Sequence, residues 1–322
     1  DHALVINGAP AVAGEPLTAL VIDARGLPVG ANLELNNVSF AAVVGPAHIT
    51  GGAGAQVVFA DGAAQYMFLG ADDDELHGGG GDDTVASAGG NDRLYGDDGA
   101  DSVSGGIGND TVQGNAGADT VSGGEGDDFA YGGKGNDSVG GDAGDDRIFG
   151  DLGDDFLQGN TGKDTLNGGA GADTVHGGKD SDQLYGDDGD DVLMGDLGDD
   201  VLGGGLGADF CDGGDGADIV RGGQGNDLVL GGAGDDWLSG DRGDDTLTGG
   251  AGADTFHSFA GAGLDLVTDF HQSEGDRVQL DPGTAYTTAQ VGADTVISMT
   301  GGGQMVLAGV QLASLSAGWI FS

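Results

Sequence analysis

Aspartate returns every ninth residue along more than half of this chain, without a slip. The series is Asp74, Asp83, Asp92, Asp101, Asp110, Asp119, Asp128, Asp137, Asp146, Asp155 and Asp164. It continues through Asp173, Asp182, Asp191, Asp200, Asp209, Asp218, Asp227, Asp236, Asp245 and Asp254, twenty-one repeats in one register. Carboxylates at such spacing can serve as acid–base pairs or as compact oxygen ligands for a hard cation. Which of these they do depends on how the intervening residues fold.

Two residues before each aspartate stands Gly, apart from Asp72 and Asp180; four before stands Gly, Asn or Asp, apart from Ala88. Two residues after it comes an apolar side chain, as in GGIGNDTVQ (105–113) and GGAGADTVH (168–176). Gly, Asn and Asp tolerate positive φ, so the first half of each block can turn tightly. This explains Asp97, Asp142, Asp151, Asp187, Asp196 and Asp241, which stand where the second Gly would be. Asp82, Asn91, Asn109 and Asp127, just before the repeating aspartate, alternate with Ala elsewhere and are read as turn formers. The remaining three residues alternate outward, inward, outward, as a short strand does. One coil then needs two blocks, and stacked coils form two parallel sheets around a thin aliphatic core.

The pattern G-G-x-G-x-D-x-U-x over residues 69–257 resembles the RTX (repeat-in-toxin) family of calcium-binding nonapeptide-repeat proteins. The resemblance implies an all-β, right-handed parallel β-roll, a β-solenoid whose Gly-rich turns hold calcium. Elementary electrostatics leads the same way. Aspartates eighteen apart fall on successive coils about 4.8 Å from one another. Two repelling columns result unless a cation intervenes. Calcium takes six to eight oxygens at about 2.3–2.6 Å, which two carboxylates and the backbone carbonyls of two turns can supply. Twenty-one loops, each joined to the next but one, offer up to about 19 sites, whose ions would carry +38 against a net charge of −46. All twenty-one aspartates, with Asp265 below, are expected metal ligands, and the chain is expected to be unfolded without the ion.

Counting nine backwards from Leu76 gives Met67, Val58, Ile49 and Phe40, so residues 42–68 read as further coils of the roll. Gln56 and Gln65 replace the aspartate there, and ion-free loops are expected. Residues 1–41 are expected to form a β-rich cap or the end of an upstream domain, with strands at Leu17–Asp23 and Leu33–Val44. After Phe256 the register slips by two; GAGLDLVTDF (261–270) holds a last D-x-V at Asp265, and GDRVQL, ADTVISM and QMVLAGV read as strands. This segment, 258–322, resembles the C-terminal part of RTX proteins such as serralysin-type proteases and alginate epimerases. The resemblance implies a closing β cap that carries an uncleaved type I secretion signal.

Composition narrows the function classes. Fifty-five acidic residues against nine basic ones exclude a nucleic-acid partner and an anionic membrane surface. The single Cys211 occupies an inward apolar position and reads as a small buried hydrophobe. His2, His48, His77, His176, His257 and His271 are scattered, and no H-E-x-x-H, G-x-S-x-G or P-loop occurs. No enzyme activity is expected. The N-terminal Asp1-His2-Ala3 begins no basic-then-apolar leader, and the chain is expected to continue something longer. The expected role is a calcium-binding module of a secreted bacterial protein, folding on extracellular calcium and supporting type I export. Its partners would be calcium ions and the type I secretion machinery. The alternative is a structural cell-surface protein, an adhesin or surface-layer component, whose roll makes the contacts through self-association or with a cell-surface partner. At least one of two outward rows, Val192–Phe210–Leu228 and Val201–Ile219–Trp237, is expected to be covered, by the C-terminal segment or by another molecule.

Overall fold

A computed structural model describes residues 4–7, 19–28, 31–52 and 54–322. The chain forms a parallel β-solenoid in two compact units, Asp1–Asp164 and Thr165–Ser322. In both, consecutive blocks send strands alternately to two sheets, and each strand pairs in parallel with the strand eighteen residues on. Val103 faces Val121 and Val112 faces Ala130 in the first unit; Leu184 faces Leu202 and Leu193 faces Cys211 in the second. The inward residue of every block, from Leu76 to Phe256, is buried.

The strands are longer than the three-residue tail implies. Ser102–Ile107 and Thr111–Ala116 each run six residues, through the first glycines of the following block. The reason lies in the missing side chains. A Cβ on Gly108, at φ 135°, would overlap the carbonyl oxygen of Gly90 on the coil below. Glycine at Gly108 therefore lets the coils approach where a side chain at this φ would collide with the backbone below. The aspartates that replace the second Gly take positive φ as expected, between 65° at Asp241 and 77° at Asp142.

On the N-terminal side, Ile49, Val58 and Met67 are fully buried, and Val57–Phe59 and Tyr66–Phe68 stack on Glu75–His77 and Thr84–Ala86. Phe40 does not point inward: Ala41 faces Val58, one residue out of the expected register. The single strand expected at 33–44 is two, Asn32–Asn36 and Phe40–Val44, separated by Asn37 at φ 52°. The boundary drawn at residue 41 leaves no mark on the pairing. Ala19–Asp23 pairs in parallel with Phe40–Val44, and Leu4–Asn7 with Asn32–Asn36. Leu17 and Thr18, the start of another expected strand, lie outside the described residues, as does His2.

At the C-terminal end, Arg277–Leu280, Asp294–Met299 and Gln304–Leu307 are strands, as the sequence implies. Tyr286–Val291 and Asp294–Met299 form an antiparallel hairpin, whose last partner, Gln304–Leu307, returns parallel to Leu264–Val267. Phe256, Phe270 and Trp319 cluster at centroid separations of 6.1 and 6.3 Å and close the core. In the outward rows Leu228 and Ile219 stay exposed, while Val192, Phe210, Val201 and Trp237 are half-buried. The segment meets one row at Gln279, whose Oε1 accepts the Trp237 indole N–H at 2.9 Å.

Candidate metal centre

Each repeating aspartate follows a Gly-rich turn and precedes a strand, so its side chain is directed into the seam between turn and sheet. All twenty-one are buried, as is Asp265. Along both units one carboxylate oxygen is committed to the neighbouring coil. Asp110 Oδ1 accepts the N–H of Asp92 at 2.7 Å, and Asp128 Oδ1 accepts that of Asp110 at 2.7 Å. The same rung recurs from Asp74 to Asp164, and from Asp173 to Asp254 at 2.8–3.1 Å.

At many of these aspartates the other oxygen is left without a partner in the protein. Buried Oδ2 atoms with no hydrogen bond occur at Asp110, Asp119, Asp128, Asp137 and Asp146, and again at Asp191, Asp200, Asp209, Asp218, Asp227, Asp236, Asp245 and Asp254. A Cβ on Gly105 would meet both Asp110 Oδ2 and the carbonyl oxygen of Gly123. Carboxylate and carbonyl oxygens from adjacent coils thus converge where glycine keeps side chains away. The arrangement is electrostatically costly by itself. Burial, reinforced by the charges of Asp146 and Asp110, pushes Asp128 up to about 7. Asp200 is pushed to about 7 and Asp110 to about 6, again chiefly by burial. Such groups require a cation or a proton.

Among the described residues no three His, Cys, Asp or Glu side chains converge as a metal site. The donors fit a different plan, carboxylates in twos with backbone carbonyls, all hard oxygens, which suits calcium and not zinc. Cys211 is buried, and burial raises its thiol far above the ordinary range. His77 lies stacked between Phe59 and Tyr95 at 4.2 and 4.4 Å.

Several residues depart from the repeat. Gln56 and Gln65 keep the rung as donors, in the same sense as the aspartates, their N–H groups donating to Asp74 and Asp83 Oδ1 at 2.7 and 2.6 Å. Their amide nitrogens turn to the protein, Gln56 Nε2 to Leu35 O at 3.3 Å and Gln65 Nε2 to Asp61 Oδ1 at 2.8 Å, while both Oε1 atoms are buried without a partner. Asp265 reverses the pattern, with Oδ2 accepting the Ser258 hydroxyl at 2.9 Å and Oδ1 unpartnered. The residues before the repeating aspartate hold more than their own turn. Asn91 Oδ1 accepts the N–H of Asn109 at 2.9 Å, and Asp127 Oδ1 that of Asp145 at 3.0 Å, forming an exposed second ladder between coils. Sequence reasoning missed Asp276, which is buried beside the last repeat. Only its D-x-V context hinted at it.

Fold and site together define a calcium-binding β-roll. The chain belongs to the family of the RTX calcium-binding nonapeptide repeat, whose four-copy pattern matches overlapping segments from 59–94 through 230–266. No curated protein sequence matches it. Among solved structures it is similar to a hyperactive, Ca2+-dependent, β-helical antifreeze protein from an Antarctic bacterium. Identity is 18% and the TM-score 0.41, over 88% of this chain and 99% of that one. It is also similar to the extracellular lipase LipA from Serratia marcescens, at 18% identity and a TM-score of 0.26, over 56% of this chain. This chain spans 45% of the lipase's length.

Proposed function

We propose that this chain is the calcium-driven folding module of a secreted bacterial protein, non-enzymatic in itself and exported by a type I system. The carboxylates from Asp74 to Asp254, with Asp265, are its metal ligands, paired with turn carbonyls of the neighbouring coil. Residues 69–257 are the ion-binding roll, 42–68 its ion-free continuation, and 258–322 the closing cap and export signal. One observation carries the reading: buried carboxylate oxygens without partners recur in register, most of them beside a glycine that admits no side chain, as Asp110 is beside Gly105. Such a chain threads easily where free calcium is scarce and folds where it is abundant, outside the cell. Titrating calcium into dialysed protein while following far-UV circular dichroism tests this. A cooperative gain of β-signal in the range of extracellular modules, roughly 10⁻⁴–10⁻³ M, is expected; equal signal with and without calcium refutes it. Export is tested separately, by deleting 258–322 and measuring secretion through a type I system.

The exposed Leu228 and Ile219 favour a second reading, a structural surface component whose roll self-associates. Light scattering of wild type and of Phe210→Thr/Leu228→Thr separates the two. Association lost in the variant supports the structural reading, and a monomer in both removes it.

A further inference from the structure

We infer that the calcium column extends past the repeats to one more ion, held between Asp254 and Asp276. The inference rests on the calcium reading of the repeats, and concerns residues beyond position 266, where the family pattern ends.

Asp276 stands twenty-two residues after Asp254, yet the fold brings it to the position an aspartate eighteen residues on would take. Its Oδ1 accepts the Asp254 N–H at 3.1 Å, the same bond that Asp254 Oδ1 makes to the Asp236 N–H at 3.1 Å. Two residues later Val278 is fully buried and pairs with Phe256, as the inward residue of a repeat does. Two of the four additional residues are absorbed before Leu264–Val267, where Leu247 pairs with Val267, and two in the turn after Phe270, whose ring lies on Phe256. That turn offers the His271 N–H to Asp276 Oδ2 at 2.6 Å.

What points to an ion is the Asp254 carboxylate, on the residue whose N–H makes this added rung. Asp254 is 1% exposed, and its Oδ2 has no partner in the protein. A Cβ on Gly249 would overlap that oxygen, so glycine keeps a side chain away from it as along the repeats, with the Phe256 ring beside it in place of a carbonyl oxygen. Asp269 heightens the need. Its carboxylate accepts the N–H groups of Gly249 and Gly250, both at 2.9 Å, which fixes a third negative charge in the neighbourhood. That charge acts on Asp254 and Asp276 alike. Asp269 is a positioning residue for the Gly249 turn; the ligands are Asp254, Asp276 and turn carbonyls. Hard oxygens and net negative charge select a divalent cation of calcium's class. Through Asp276 the ion would fasten Arg277–Leu280, and with it Ile320–Phe321, to the last coil.

Native mass spectrometry of the whole chain in calcium, wild type against Asp276→Asn, counts the ions; calcium anomalous diffraction from wild-type crystals locates them. One ion fewer in Asp276→Asn, with an anomalous peak between Asp254 and Asp276, is the expected result. Equal counts, or peaks along the repeats but none at Asp276, overturn this site and leave the repeat columns standing. No calcium bound by wild type overturns both. If Asp276→Asn does not fold, the wild-type peak alone decides.

Discussion

Removing calcium at neutral pH should unfold the roll, and acid should partly restore it. Burial raises Asp74, Asp83 and Asp128 from 3.8 to about 7, and Asp110, Asp119 and Asp146 to about 6. Each such carboxylate therefore opposes folding once ionised, and a column of them acts against the roughly 5–15 kcal/mol that holds a domain together. The sign follows from proton linkage. A carboxyl whose folded pKa is raised binds its proton more tightly in the fold. The stability it contributes is complete below about 3.8 and lost as pH rises through 6 to 7. Calcium substitutes for those protons at higher pH. Dialysed, calcium-free protein should show little β-signal by far-UV circular dichroism at pH 7.5, regain part of it at pH 5, and regain all of it at pH 7.5 with calcium. Full β-signal without calcium at pH 7.5 would refute the assignment of these carboxylates as ion-dependent.

Three further outcomes are expected. Asp128→Asn should raise the calcium midpoint severalfold, whereas Asp127→Asn, exposed on the outer ladder, should leave it within about twofold; equal effects would mean the buried column has no special role. Gly108→Ala places a methyl against the Gly90 carbonyl at a φ of 135°, and should cost more than about 1–3 kcal/mol in urea melts with calcium. An unchanged melt would show the coils can separate there. Cys211, buried and with its thiol pushed up, should resist alkylation in calcium and react fully after dialysis against chelator. Equal labelling rates in the two conditions would place Cys211 outside the core.

The repeat was legible because Asp, Gly and an apolar residue at fixed offsets admit few arrangements. The inward positions from Leu76 to Phe256 and the positive φ of Asp142 or Asp241 follow from single-residue chemistry. What was not legible depends on the neighbouring coil. Strand length is one case, since the side chain that Gly108 lacks would collide with the Gly90 carbonyl beneath it. The outer ladder from Asn91 to Asn109 is another, for the side chain and the N–H it holds are eighteen residues apart. Where the step departs from eighteen, counting fails. Leu33 faces Ile49 after sixteen residues and Ala41 faces Val58 after seventeen, which displaces Phe40. Asp254 meets Asp276 after twenty-two, and so Asp276 escaped notice.

The rungs between aspartates run one way: each N–H donates to a carboxylate later in the chain. Truncation should therefore be asymmetric. A cut that removes later coils strands a buried donor, Asp110 N–H for instance if Asp128 is lost, and an unmet buried donor is penalised heavily. A cut that removes earlier coils merely frees an acceptor, Asp128 Oδ1, which water or an ion can serve. The roll thus has a tolerant end and an intolerant one, and shortening it from the front should leave a better-folded remainder than shortening it from the back.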